Sequence, residues 1–160
     1  MNRIRNKEVG SSLIEVVVAL FVLAVGMLGV LSMQVKSMQF NQSAYYYSQA
    51  VYLANQILEN MRSSPDIANA YLIGLDESAP TISKNCSVST ETCSPTELRN
   101  FNLKSWRENV EATLVSGKSS VERIGGFYAI TVQFDDTRSS PEQKADGAPE
   151  LAEYVLMTEI

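Results

Sequence analysis

Glu15 is the first residue whose placement calls for a chemical reason. It sits among Leu13, Ile14, Val16, Val17 and Val18, and Lys36 is the only other charged side chain between Val9 and Leu58. A carboxylate in such surroundings is costly unless a cation or hydrogen-bond donors meet it, so Glu15 is a candidate for ion pairing. Two cysteines, Cys86 and Cys93, are the other reactive groups, and Asp135-Asp136 is a pair of adjacent acids. The chain has no histidine, which removes the imidazole base of Ser-His and Cys-His nucleophiles and the commonest metal ligand. Two cysteines alone do not complete a structural zinc site, and the CxxC redox spacing is absent. The alternating oxygen ligands and closing glutamate of a calcium loop are missing around Asp135 and Asp136, which read as a solvated turn. No spacing of Ser, Asp and Glu assembles a nucleophile, a base and an orienting group. The residues predict a non-enzyme with no cofactor and no metal.

The elements that must position these groups fit a chain of 160 residues, 45% apolar and 19% charged: one ordinary domain plus an appendage. Thirteen Lys and Arg against eighteen Asp and Glu give a formal charge of −5, the wrong sign for a surface that neutralises phosphates, so no nucleic acid is expected as partner. Arg3, Arg5 and Lys7 crowd the first ten residues. From Val16 to Met33 eighteen residues carry no charge, and with Leu13 and Ile14 the run reaches the roughly 20 residues that cross ~30 Å of hydrocarbon as a helix. The basic residues before it place the N-terminus in the cytoplasm and the remainder outside. A secretory signal with cleavage near Ala24-Val25-Gly26 competes, but the apolar run continues beyond that point. A plain single-pass anchor and a buried soluble helix also compete, the latter disfavoured by eighteen residues apolar on all sides. None of the three explains Glu15.

The stretch Gly10-Ser11-Ser12-Leu13-Ile14-Glu15-Val16, with a basic leader before it and an apolar helix after it, resembles the class III signal of type IV pilins and pseudopilins. The resemblance implies that a prepilin peptidase cuts after Gly10 and methylates the new amino terminus on Ser11. It also implies that Glu15, then the fifth residue, pairs with the terminal amine of a neighbouring subunit. One departure stands out: the family usually carries Phe or Met where this chain has Ser11. Loss of the leader removes three basic residues and Glu8, leaving 150 residues with ten positive and seventeen negative side chains, or −7.

Past the membrane run there is no Pro until Pro65 and no Gly between Gly29 and Gly74, so one helix is expected from about Ser12 to Ser63, ~75 Å at 1.5 Å per residue, its first half projecting. Gly26 and Gly29 read equally as places to bend or as packing positions. Ala50, Leu53, Ala54, Ile57, Leu58 and Met61 form an apolar stripe, and Arg62-Ser63-Ser64-Pro65 reads as the stop. Between membrane run and stripe, QVKSMQFNQSAYYYSQAVY is nearly uncharged; Tyr45, Tyr46 and Tyr47 read either as filament contacts or as rings under the head or at the membrane interface. Residues 65–95 read as a turn-rich connector. It holds both cysteines, and on the outer side of the membrane these predict a disulfide.

Ser94-Pro95-Thr96-Glu97 carries the N-cap, first-turn proline and capping-box glutamate of a helix start. Leu98, Phe101, Leu103, Trp106, Val110 and Leu114 give that helix an apolar face with Trp106 as packing anchor, and Gly117 ends it near Ser116. Ser119–Ile124 and Phe127–Phe134 around Gly125-Gly126 predict a hairpin. Leu151–Ile160 predicts a last strand with Tyr154, Leu156 and Thr158 on one face and Val155 and Met157 on the other. The expected fold is α+β, a long N-terminal helix against an antiparallel sheet of at least three strands, as the pilin resemblance also implies. The expected divisions are a leader at 1–10, a membrane or filament-core helix at 11–33, its second half at 34–64 and a head at 65–160.

Within the family, NQSAYYYSQAVYLANQILENMRS, LKSWRENVEATL and GGFYAITVQFDD resemble the PilV-like minor pilins. That implies a structural subunit held in the bacterial inner membrane, head in the periplasm, and later carried to the pilus on the cell surface. Its implied partners are prepilin peptidase, other minor pilins and the major pilin, the inner-membrane assembly platform and a tip adhesin. The implied role is to help prime assembly and to sit at or near the tip. Two other readings stay open: a minor pseudopilin of a type II secretion system, and a membrane-tethered periplasmic binding or sensor protein that keeps its leader.

Overall fold

A 50-residue helix, α1, runs from Leu13 to Arg62 in the computed structural model, which describes residues 12–88, 92–136 and 151–160. Both ends fall within one residue of the sequence expectation, and α1 stays helical through Gly26 and Gly29. A Cβ added at either glycine would meet no atom within 4 Å, so neither serves a close approach inside the chain. Contacts divide the chain into two units, Met1–Gln39 and Phe40–Ile160.

In the second unit the stripe Ala50, Leu53, Ala54, Ile57, Leu58 and Met61 is buried. These residues recur at three and four positions, so they share one helix face. That face packs with Leu103, Trp106 and Val110 of a second helix, α2 (Pro95–Thr113), and with Val121, Ile130, Val132 and Phe134 of the sheet. Each fully buried Leu, Ile or Phe side chain contributes about 1.5–3 kcal/mol through apolar area removed from water.

The sheet has three antiparallel strands in the order β1-β2-β3: β1 Lys118–Ile124, β2 Phe127–Phe134 and β3 Ala152–Thr158. Gly125 and Gly126 take φ of 58° and 97°, the left-handed pair that a two-residue hairpin turn requires. Val121 faces Ile130, which faces Leu156, so one register carries the core through all three strands. Tyr154 and Leu156 pack on that core while Val155 and Met157 are exposed, as the alternation in β3 predicts.

Three local features differ from the sequence reading. The connector begins with a 3-10 helix, Pro65–Tyr71, whose Ala68 and Tyr71 are buried. Ile73 then pairs with Val121, each N–H donating to the other's carbonyl at 2.9 Å, a single bridge on the outer edge of β1. Finally, α2 ends at Thr113 rather than near Ser116, and the left-handed residue is Ser116 (φ 53°) rather than Gly117. Gly117 is needed for a different reason: a Cβ there would lie 2.5 Å from the Val110 carbonyl oxygen.

Candidate functional site

The groups singled out in the sequence fall at the start of α1, along its middle and around the start of α2. Gly10 and Ser11 lie outside the described residues. Glu15 stands in the first turn of α1, its N–H donating to the Ser12 carbonyl at 2.9 Å. A carboxylate is favoured there because the unsatisfied N–H groups of a helix start carry partial positive charge. From Leu13 to Met38 every residue is exposed within this chain, and Leu13 itself is 82% exposed. An 18-residue stretch of α1 is long and apolar enough to cross a membrane, with none of it buried by the rest of the protein. Glu15 can therefore accept hydrogen bonds or a cation from outside this chain, at one end of an apolar surface that the described residues leave uncovered.

In the middle of α1 the tyrosines separate. Tyr46 and Tyr47 set their rings edge-on to Phe134, with centroids 6.3 and 5.1 Å away, which is the reading of rings under the head. Tyr46 is half-buried, Tyr47 stays exposed despite its ring contact, and Tyr45 and Tyr52 are exposed. The Gln42 amide donates to the Tyr46 hydroxyl at 3.1 Å, and Ser43 Oγ donates to Asp136 Oδ2 at 2.6 Å. Asp136 thus bonds α1 from the end of β2, a contact that nothing local in the sequence signals across 93 residues.

Cys86 and Cys93 are joined in a disulfide, and the α2 cap follows at the next residue. Ser94 Oγ accepts from the Glu97 N–H, while the Ser94 N–H and Oγ both donate to Glu97 Oε2 at 2.9 Å, a complete capping box. Lys84 stands 3.4 Å from Glu97 Oε1. The Ser94 backbone N–H, then its hydroxyl, and last Lys84 hold the Glu97 carboxyl below the usual carboxylate range against slight desolvation. The disulfide and the cap form one structural staple with no free thiol.

Arg107 is the residue that sequence reasoning missed. It is 93% buried, at 7% exposure, and its guanidinium donates to the carbonyls of Gly74 and, at 2.8 Å, Ser119. Burial pushes its pKa down, with Glu77, Glu111 and Asp76 opposing that shift; a guanidinium stays charged nonetheless. The signal was its spacing, four residues after Leu103 and three before Val110, which puts it on the apolar face. The apolar face itself holds Leu103, Trp106, Val110 and Leu114, whereas Leu98 is exposed, one turn before the core begins. Trp106 is fully buried and its Nε1 donates to the Leu53 carbonyl at 2.8 Å, tying α2 to α1. A hollow of about 230 Å³ beside Arg107 is lined by Asp76, Glu77, Glu111 and Lys118. Lys118 Nζ donates to Asp76 at 2.6 Å, which lowers the Asp76 pKa. Among the described residues no group of three or more acids or cysteines is placed to hold a metal ion.

Comparison with known families places two adjoining matches on this geometry. Residues 5–31 match the model of the prokaryotic N-terminal methylation motif, covering Glu15 and the exposed apolar helix. Residues 32–104 match the model described as type IV pilin Tt1218, covering the rest of α1, the disulfide connector and the cap of α2. No curated protein and no solved structure matches the chain.

Proposed function

We propose that this chain, which belongs to the type IV pilin family and carries its class III N-terminal methylation signal, is a PilV-like minor pilin that helps prime assembly and sits at or near the tip of a type IV pilus. The methylation motif implies processing by prepilin peptidase and assembly with other pilins. The apolar N-terminal helix fits a membrane-anchored pilin. In the proposed sequence, cleavage between Gly10 and Ser11 releases residues 1–10 and leaves a methylated amine on Ser11. The subunit waits in the inner membrane through residues 11–33, N-terminus inward and head in the periplasm. Residues 34–64 complete the helix, and the head from residue 65 presents the surface that meets neighbouring minor pilins and a tip adhesin.

The observation that carries this reading is Glu15, a lone carboxylate at the start of an uncovered apolar helix. In lipid or among packed helices water is excluded, and there an amine within ~4 Å attracts a carboxylate by about 4 kcal/mol at an effective dielectric of about 20. The amine of a neighbouring subunit answers that need and sets axial register. Replacing Glu15 with Val keeps an apolar helix able to insert but removes the register. With the assembly machinery present, the Glu15→Val protein is expected at wild-type level in membranes and reduced about tenfold or more in sheared filaments. Incorporation equal to wild type would remove Glu15 from the mechanism.

A further inference from the structure

We propose that the free edge of β3 is a docking site for an extended segment of another polypeptide, apolar at alternate positions and carrying Lys or Arg at its ends. This goes beyond the filament role and does not depend on it. Of the two sheet edges, that of β1 is interrupted at its middle by the bridge between Ile73 and Val121. Among the described residues β3 pairs only with β2, and its outer side presents backbone donors and acceptors that none of these residues pairs. Natural edges are usually blunted by proline, lysine or a bulge. The strand AEYVLMT has neither residue, and its seven-residue register against β2 runs without a bulge. Its outward side chains, Val155 and Met157, are 43% and 55% exposed.

Charge identifies the occupant. Glu153 and Glu159 are exposed at the two ends of β3, and exposed Glu122 stands in the same cross-strand row as Met157. None of the three takes part in a salt bridge within the chain among the described residues. An apolar strip between acids matches a strand with apolar alternate residues and basic ends, because opposite charges across strands are favourable and like charges are not. A second copy of the chain brings the same acids: the antiparallel register that sets Leu156 against its counterpart sets Glu153 against Glu159.

The test uses the full chain in detergent micelles and two synthetic ten-residue peptides, both alternating Val and Thr, one with Lys pairs at its ends and one with Glu pairs. Binding is read by fluorescence anisotropy and by amide hydrogen exchange across β3. The Lys-ended peptide is expected to bind at least about tenfold more tightly than the Glu-ended one, and to slow exchange of β3 amides. The double substitution Val155→Lys, Met157→Lys is expected to weaken that binding by about tenfold while the exchange of the β2 amides stays as in wild type. Equal binding of both peptides, or binding unaffected by the double substitution, overturns the proposal. So does slow exchange of all β3 amides in the free protein, which would mean the edge is already paired, or a concentration-dependent homodimer that competes with the peptide.

Discussion

Replacing Trp106 with Phe tests how the head is held to the helix that carries it. The indole is fully buried and its Nε1 donates to the Leu53 carbonyl of α1 at 2.8 Å. Phe keeps an aromatic ring on the same rotamer path but removes that bond, worth about 0.5–1.5 kcal/mol net. The bond sits at the lower end, because the Leu53 carbonyl also accepts within its own helix and is not orphaned. The missing part of the indole leaves a void of roughly 40 Å³, which at about 24 cal/mol per Å³ adds about 1 kcal/mol, with lost transfer energy on top. The expected loss is about 2–3 kcal/mol. It is measured by urea titration of the full chain in detergent, followed by near-UV circular dichroism of the tyrosines and extrapolated linearly. A loss under about 0.5 kcal/mol would mean that the contact between α1 and α2 does not depend on Trp106, and the packing account of the head would fail.

Gly117→Ala is expected to destabilise the head by about 1–3 kcal/mol in the same titration, since the added methyl collides with backbone at Val110 and Leu114; a neutral result would show that the turn after α2 can shift freely. Glu97→Gln tests the cap through pH. The folded-state pKa of Glu97 is lowered, so its stabilisation is fully present above the unfolded carboxylate value of about 4.3 and is lost as pH falls through the folded value. Wild type is therefore expected to exceed the Gln variant in stability at neutral pH, with the difference closing below about pH 4; a pH-independent difference would contradict the capping role.

Where the sequence spoke through local chemistry, it was legible. The ends of α1, the Ser94-Glu97 capping box and the Gly125-Gly126 turn each depend on neighbours within four residues, and the structure carries all three. Features set by distant contacts were not legible. The 3-10 helix at Pro65–Tyr71 exists because Ala68 and Tyr71 find a core, and Asn69 accepts from Tyr128 Oη and from Arg123. Arg107 is buried because carbonyls of Gly74 and Ser119 converge on it. Neither circumstance is written near those residues. Of the candidate site, Glu15 and its exposed helix were readable as composition, whereas the cleavage pair Gly10 and Ser11 rests on the methylation motif and lies outside the described residues.

The most direct measurement is the intact mass of the protein, with N-terminal peptide mapping, from membranes made with and without an active prepilin peptidase. The account predicts loss of Met1 to Gly10 and an added methyl group on Ser11 only when the peptidase is present. An uncut N-terminus in the presence of active peptidase would contradict it and leave Glu15 without a subunit amine to pair with.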